Sequence, residues 1–274
     1  MNLKDVDIFF NYHTHTNRNG HGSSAPDEDY VIEAMKAGVR ILGFSEHCPY
    51  KDELVSDQST VRMRYDQIEE YFSSLNRLKE KYKGQCDILI GFECEYYANH
   101  LDDVKELKKI ADFILLGQHF NTIDKKEFHS FTMKCDDEEA KLYADYICAG
   151  LETGLYDYLA HPDYFYGGTY DIDEVFIESS HRICKKCEET KTPLEINLNG
   201  NAWYAGIRNY KQGRHYHYPN RIFWDIASKY DVKCIIGYDA HDPALFSQKE
   251  TLLNNFSSEI DDLGLNIITE PLFK

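Results

Sequence analysis

The chain is short of positive charge: 30 Lys and Arg stand against 47 Asp and Glu, a formal charge of −17 over 274 residues. A surface so acidic repels nucleic acid and anionic membrane. No apolar stretch approaches the roughly 20 residues needed to span a bilayer. The opening MNLKDVDIFF lacks the charged flank, apolar run and cleavage pattern of a secretion signal. These absences lead to the expectation of a cytoplasmic protein with no membrane or nucleic-acid partner. The eight cysteines are scattered, and the one close pair, Cys184 and Cys187, has no second pair at zinc-ribbon spacing. They read as reduced, structural thiols. Linker-like and low-complexity segments are missing too, so residues 1–274 are expected to form a single domain.

What the sequence does contain is a regular alternation of short apolar runs with amphipathic segments, the pattern of repeated βα units. Seven strands are expected, over 7–13, 40–47, 87–93, 113–119, 156–161, 193–197 and 233–239. Their near-continuous apolarity suits strands buried on both faces. Among the helices between them, one is expected over 27–37, with Asp27 capping its start and Gly38 closing its end. Another is expected over 66–82, with Ile68, Phe72, Leu75 and Leu78 in one stripe. Pro219 is placed in a first helical turn, before Ile222, Phe223 and Ile226. The fold class is α/β. A closed or nearly closed barrel is the first reading, and a doubly wound open sheet is its alternative.

The chemistry collects at the strand ends. His13 and His15, His47, Glu93, His119, His161, and Asp239 with His241 stand at or just after the ends of six of the seven strands. Six of the twelve histidines lie there, where about one is expected from average spacing. In a parallel barrel these ends share one face, so residues remote in sequence can converge. Alternate residues of a strand point the same way, which lets both imidazoles of His13-Thr14-His15 reach one ion, and Asp239-Ala240-His241 repeats the spacing. So many imidazoles facing one cavity would be costly to desolvate without a shared partner. One ion takes three or four protein ligands, so these eight, with His21 in the loop NGHGSS, imply several. Imidazole and carboxylate without thiolate suit zinc, iron or manganese, and Glu93 can bridge two ions. Glu46, Glu95 and Asp163 are candidates for orienting the imidazole rings.

Taken in order, YHTHT, His21-Gly22, GFSEHCPY, GFECEY, LLGQHF, LAHPDYF and GYDAHDP resemble the polymerase and histidinol phosphatase superfamily over nearly the whole chain. The resemblance implies a distorted (β/α)7 barrel and a metal-dependent phosphoesterase. Its metal ligands fall on His13, His15, His21, His47, Glu93, His119, His161, Asp239 and His241. By analogy His13, His15, Glu93 and Asp239 would hold one ion, Glu93, His119 and His161 a second, and His21, His47 and His241 a third. The length, PLEIN-N-G and HYHYP look most like the stand-alone histidinol-phosphate phosphatases. The expected reaction is hydrolysis of a small phosphate monoester, L-histidinol phosphate first, by a metal-bridging hydroxide, with Glu93 and Asp239 as catalytic residues. Asp239 or a metal-bound water would protonate the leaving group.

The departures from the family concern the substrate pocket. Where relatives carry basic residues after the HPD motif and after the sixth strand, this chain has Tyr164-Phe165-Tyr166 and Asn201-Ala202-Trp203. Arg208 and Arg214 are the candidate replacements for phosphate binding, since guanidinium donates bidentately. Asn199 is a candidate for hydrogen bonding to substrate. A phosphodiesterase or nuclease, disfavoured by the charge, and a non-catalytic metal-binding accessory domain are the rival readings.

Overall fold

The computed structural model describes residues 3–51, 61–123, 128–201 and 206–273. Strand β1 (Phe10–Asn11) leads to helix α1 (Asp27–Lys36), β2 (Ile41–His47), α2 (Ile68–Lys81) and β3 (Asp87–Cys94). Then come α3 (Leu101–Ile110), β4 (Phe113–Leu116), α4 (Asp137–Glu152), β5 (Tyr158–Leu159), α5 (Glu174–Thr190) and β6 (Leu194–Asn197). A hairpin of β7 (Ile207–Tyr210) and β8 (Gly213–Tyr216) precedes α6 (Arg221–Ala227), β9 (Lys233–Gly237), α7 (Lys249–Ile260) and β10 (Asn266–Ile267).

Eight strands form one parallel sheet in the order β1-β2-β3-β4-β5-β6-β9-β10. At its upper end the sheet curls until the chain after β1 meets the chain after β9. There His15 N donates to Ala240 O at 2.9 Å, and Ala240 N to His13 O at 3.2 Å. The seven expected strands are therefore β1 to β6 and β9, wound into the distorted barrel, and β10 adds to β9 below that bridge. Among the described residues, no helix is long and apolar enough to cross a membrane.

Two local expectations are corrected. Asp27 does not cap α1: it lies in the first turn, where both carboxylate oxygens accept from Arg18, at 2.8 and 2.9 Å. Pro219 precedes the helix rather than entering it, because Asn220 takes the cap position and accepts from Ile222 N at 3.0 Å. Gly38 follows α1 at φ +93°, a conformation that suits glycine. Cys184 and Cys187 are buried on α5, and all eight cysteines are free.

The main core lies between sheet and helices, while a smaller one fills the barrel's lower interior. In the latter Phe10, Tyr12, Leu89, Phe113, Leu115, Tyr158 and Ile235 pack together, and Leu272 and Phe273 close the bottom. Phe113 stacks on Phe273 with centroids 5.3 Å apart and meets Tyr12 at 5.8 Å. Phe113→Ala is expected to lower unfolding free energy by about 3–5 kcal/mol, the usual cost of emptying a phenylalanine site. Denaturant titration checks it, and a change below about 1 kcal/mol would contradict this packing. The filled lower half leaves only the upper mouth of the barrel for chemistry.

Candidate metal centre

Parallel strands place their carboxyl ends at that mouth, and the register aligns the ends closely: His47 on β2 is paired with Glu93 on β3. Glu93 lies at the centre. Its Oε2 is 3.0 Å from His47 Nδ1, 3.4 Å from His13 Nε2 and 3.5 Å from His15 Nε2. Its Oε1 is 2.7 Å from His161 Nε2 and 3.3 Å from His119 Nε2. Opposite, Asp239 Oδ1 lies 3.0 Å from His15 Nε2, 3.3 Å from His241 Nδ1 and 3.4 Å from His13 Nε2. His21 joins from its loop, Nε2 to Nε2 with His241 at 3.0 Å. All nine sequence-predicted residues are thus brought together, with His21 at the exposed rim. His161 and Asp239 sit at φ +29° and +48°, a strained region for non-glycine residues that clusters at functional sites.

The donor set fits divalent cations. His13 Nε2, His15 Nε2, Glu93 Oε2, His161 Nδ1 and Asp239 Oδ1 are buried without a hydrogen-bond partner, an arrangement that costs free energy unless something else satisfies them. Four triads of ligand atoms each lie within 4.8 Å: His15, His47 and His241; His13, His161 and Asp239; His13, His15 and Glu93; His47, Glu93 and His119. These overlap, so spacing alone does not divide the residues among ions.

Electrostatics agree with the fit. Burial opposes a charged imidazole, yet Glu195, Asp239 and Glu93 raise His13 well above the ordinary histidine value. Against the same opposition, Asp239 and Glu46 lift His15 to about 9. Burial likewise pushes Glu93 and Asp239 up, but the imidazoles around them win and hold both well below the usual carboxylate range. At His47 burial and the neighbouring His15 act together and bring it down to about 3. The buried carboxylates draw positive charge from whichever base is near, which is the setting a cation would occupy.

The imidazoles are oriented from behind. His13 Nδ1 donates to Glu195 Oε1 at 2.8 Å, which leaves Nε2 as the inward lone pair. Glu195 Oε2 also accepts from His161 N at 3.1 Å and Asn197 Nδ2 at 2.8 Å. Glu46 sits 3.5 Å from His15 Nδ1 and accepts from Thr16 N, Asn19 Nδ2 and His47 N at 2.9, 3.0 and 2.9 Å. Glu95 accepts from Arg62 and, at 3.2 Å, from His119 N and Phe120 N. Asp163, pushed up to about 7 by burial, accepts from Asn220 N at 2.6 Å and so fastens the start of α6 rather than an imidazole.

Glu195 was absent from the sequence-based candidates, although a signal existed: two residues before Asn197 on one strand, it must share that residue's face. Glu195→Gln is expected to weaken metal affinity about 10–100-fold. Metal titration of the variant reads this directly, and unchanged affinity would contradict it.

Above the cluster lies a cavity of about 330 Å³ lined by His21, His47, His119, His161, Asp239 and His241, and by Phe120, Ser130, Thr132, Tyr164, Asn199 and Tyr218 among others. Neither proposed arginine reaches it. Arg208 donates to Gly167 O and covers the Tyr170 ring, and Arg214 is exposed on the hairpin. Among the described residues, no Lys or Arg lines the cavity. Tyr164 is at the cavity, whereas Phe165 and Tyr166 are core, and Ala202 and Trp203 lie outside the described residues.

Known proteins resemble this chain in sequence and fold. A Deinococcus radiodurans protein named as a probable histidinol-phosphatase is 23% identical over 84% of this chain and 85% of its own. The Bacillus subtilis histidinol-phosphatase is 32% identical over 34% of this chain and 35% of its own. The fold matches the crystal structure of a Lactococcus lactis histidinol phosphate phosphatase complexed with zinc, L-histidinol and phosphate. That match has a TM-score of 0.65 at 16% identity and covers 94% of this chain and 95% of the other. A Listeria monocytogenes structure matches at TM-score 0.69 and 21% identity, over 86% and 96% of the two chains. The PHP domain profile covers residues 11–199, which span His13 to His161 and end at Asn199, and the chain belongs to the PHP domain family.

Proposed function

We propose that this protein is a cytoplasmic, single-domain, metal-dependent phosphomonoesterase that hydrolyses L-histidinol phosphate to L-histidinol and phosphate. The observation that carries the metal chemistry is the ring of buried, unpartnered imidazole and carboxylate atoms around Glu93 and Asp239. The substrate follows from the names of the relatives that span most of the chain.

His13, His15, His21, His47, Glu93, His119, His161, Asp239 and His241 would hold two or three divalent ions, zinc, iron or manganese. Ions in such a site supply a water-derived nucleophile at neutral pH and positive charge for the phosphate oxygens. The protein's own part is positioning. Glu93 spans the site with its two oxygens, and Glu195 and Glu46 hold His13 and His15 with Nε2 inward. Asp239 Oδ2 accepts from Asn197 Nδ2 at 3.2 Å and Asn199 Nδ2 at 3.3 Å. It therefore enters the reaction ionised, able to take the proton of the attacking water and return it to the departing alkoxide. Among the described cavity residues none is Lys or Arg, so His21, His47, His119, His161, Asp239 and His241, which line the cavity, would hold the ions that supply positive charge to a phosphate group.

A nuclease reading fits less well, because a chain of net charge −17 with no Lys or Arg among the described cavity residues offers a polyanion little beyond the metal site itself. Phosphate release from L-histidinol phosphate, compared with cleavage of single-stranded DNA at equal enzyme, separates the two. Turnover of the phosphomonoester is expected. DNA cleavage without phosphate release would sink the proposal.

A further inference from the structure

The loop between β1 and α1 delivers His21, which is exposed at the rim while the other proposed ligands are buried or half-buried. Core packing therefore does little to hold this imidazole. The turn before it is made by Gly20 at φ +77°, a conformation open to glycine at no steric cost. Two adjacent side chains that face opposite ways hold the loop instead.

Arg18 faces outward, toward the helices. Its guanidinium donates to both oxygens of Asp27 on α1, at 2.8 and 2.9 Å, and to both of Glu70 on α2, at 2.8 and 3.0 Å. These paired, charge-assisted bonds tie the base of the loop to both helices. Asn19 faces inward and is fully buried. Its Oδ1 accepts from His21 N at 3.1 Å and from Gly22 N at 3.0 Å, and its Nδ2 donates to Glu46 Oε1 at 3.0 Å. Two N–H groups on one side and a carboxylate on the other allow the amide only this orientation.

Glu46 is the carboxylate that stands 3.5 Å behind His15 Nδ1 and accepts from His47 N. A line of contacts thus runs from His15 through Glu46 and Asn19 to the turn that carries His21. The far side of the turn rests on His241, where Ser23 N donates to His241 O at 2.7 Å. The place of Asn19 asks for a donor toward a carboxylate and an acceptor for two backbone N–H groups, from one short side chain. Ionised aspartate would set a second carboxylate against Glu46, and an apolar side chain would supply neither group. Without Asn19, Glu46 still accepts from Thr16 N and His47 N, so His15 keeps its support.

We infer that Asn19 is a positioning residue of the metal centre: it fixes the turn that presents His21, so the ion held with His21 depends on it and the others do not. The inference rests on His21 being a ligand, as the proposed function has it.

The test is chelator competition on the zinc-loaded protein, read as ions retained per chain at each free-zinc concentration, with folding checked by circular dichroism. His21→Ala identifies the binding step to which His21 contributes. Asn19→Ala is expected to weaken that step at least about tenfold, the usual scale for losing a group that orients a ligand. The other steps should stay within about twofold of wild type, and Asn19→Ala should add no more than that to His21→Ala, as for residues acting through one another. Asn19→Ser keeps a shorter acceptor and should fall between wild type and Asn19→Ala. Unchanged retention in Asn19→Ala, equal weakening of every step, a further loss in the double variant, or failure of both Asn19 variants to fold overturns the inference. Wild-type retention in His21→Ala is a separate failure, which overturns the ligand assignment beneath it.

Discussion

Glu93→Gln is expected to lose at least one bound ion and to lower kcat/KM for the phosphate ester by at least about a thousandfold, some 4 kcal/mol of transition-state stabilisation. The size follows from position. Each Glu93 oxygen faces imidazoles from different strands: His13, His15 and His47 on one side, His119 and His161 on the other. An amide of the same shape keeps one acceptor, but it removes the charge and points N–H hydrogens at imidazole lone pairs. Those imidazoles would then lack their shared anionic neighbour inside a buried cluster, the situation in which polar groups are most costly. Metal content by elemental analysis and kcat/KM on the same preparation give the answer. A full set of ions with activity within tenfold of wild type would remove Glu93 from the centre of the site.

A second large effect is expected from the smallest possible change. Gly117 follows β4, and a Cβ built there would fall 1.8 Å from Glu93 Oε1 and 2.5 Å from its Cδ. The LLGQH motif therefore carries glycine because the carboxylate occupies the space a side chain would need. Gly117→Ala must displace either Glu93 or the strand end that carries His119. A misplacement near 1 Å is enough for about a hundredfold loss of rate. We expect at least that loss in kcat together with weakened metal binding, while the far-ultraviolet circular dichroism stays that of the folded protein. Wild-type kcat in Gly117→Ala would show that Glu93 does not need its place. Gly237 plays the same part for Glu195, where a Cβ would lie 1.9 Å from Oε1.

The nine converging residues were legible in the sequence because strand period and strand direction are strong constraints. Residues at the carboxyl ends of parallel strands share a face whatever their separation along the chain, so His13 and His241 could be placed together without a structure. Other features lacked such a constraint. Glu195 stands two residues inside β6 rather than at its end, and only residue alternation, which puts Glu195 and Asn197 on one face, points to it. The β7 and β8 hairpin, IRNY and GRHY, is short and largely polar, and β10 has two residues. Neither leaves an apolar period to detect. The guanidinium chemistry that makes Arg208 and Arg214 candidates for phosphate says nothing of where their side chains point. The hairpin turns Arg208 onto Gly167 O and leaves Arg214 in solvent. Within Tyr164-Phe165-Tyr166 the composition likewise says nothing of direction: Tyr164 lines the cavity while Tyr166, two residues on, is wholly buried in the core.

The central claim is that these residues make a metal-dependent phosphatase, and metal removal with return tests it most directly. Phosphate release from L-histidinol phosphate should fall to background after thorough chelation. It should then recover in proportion to zinc, iron or manganese added back, saturating at two or three ions per chain. Release that is unaffected by complete metal removal would contradict the account.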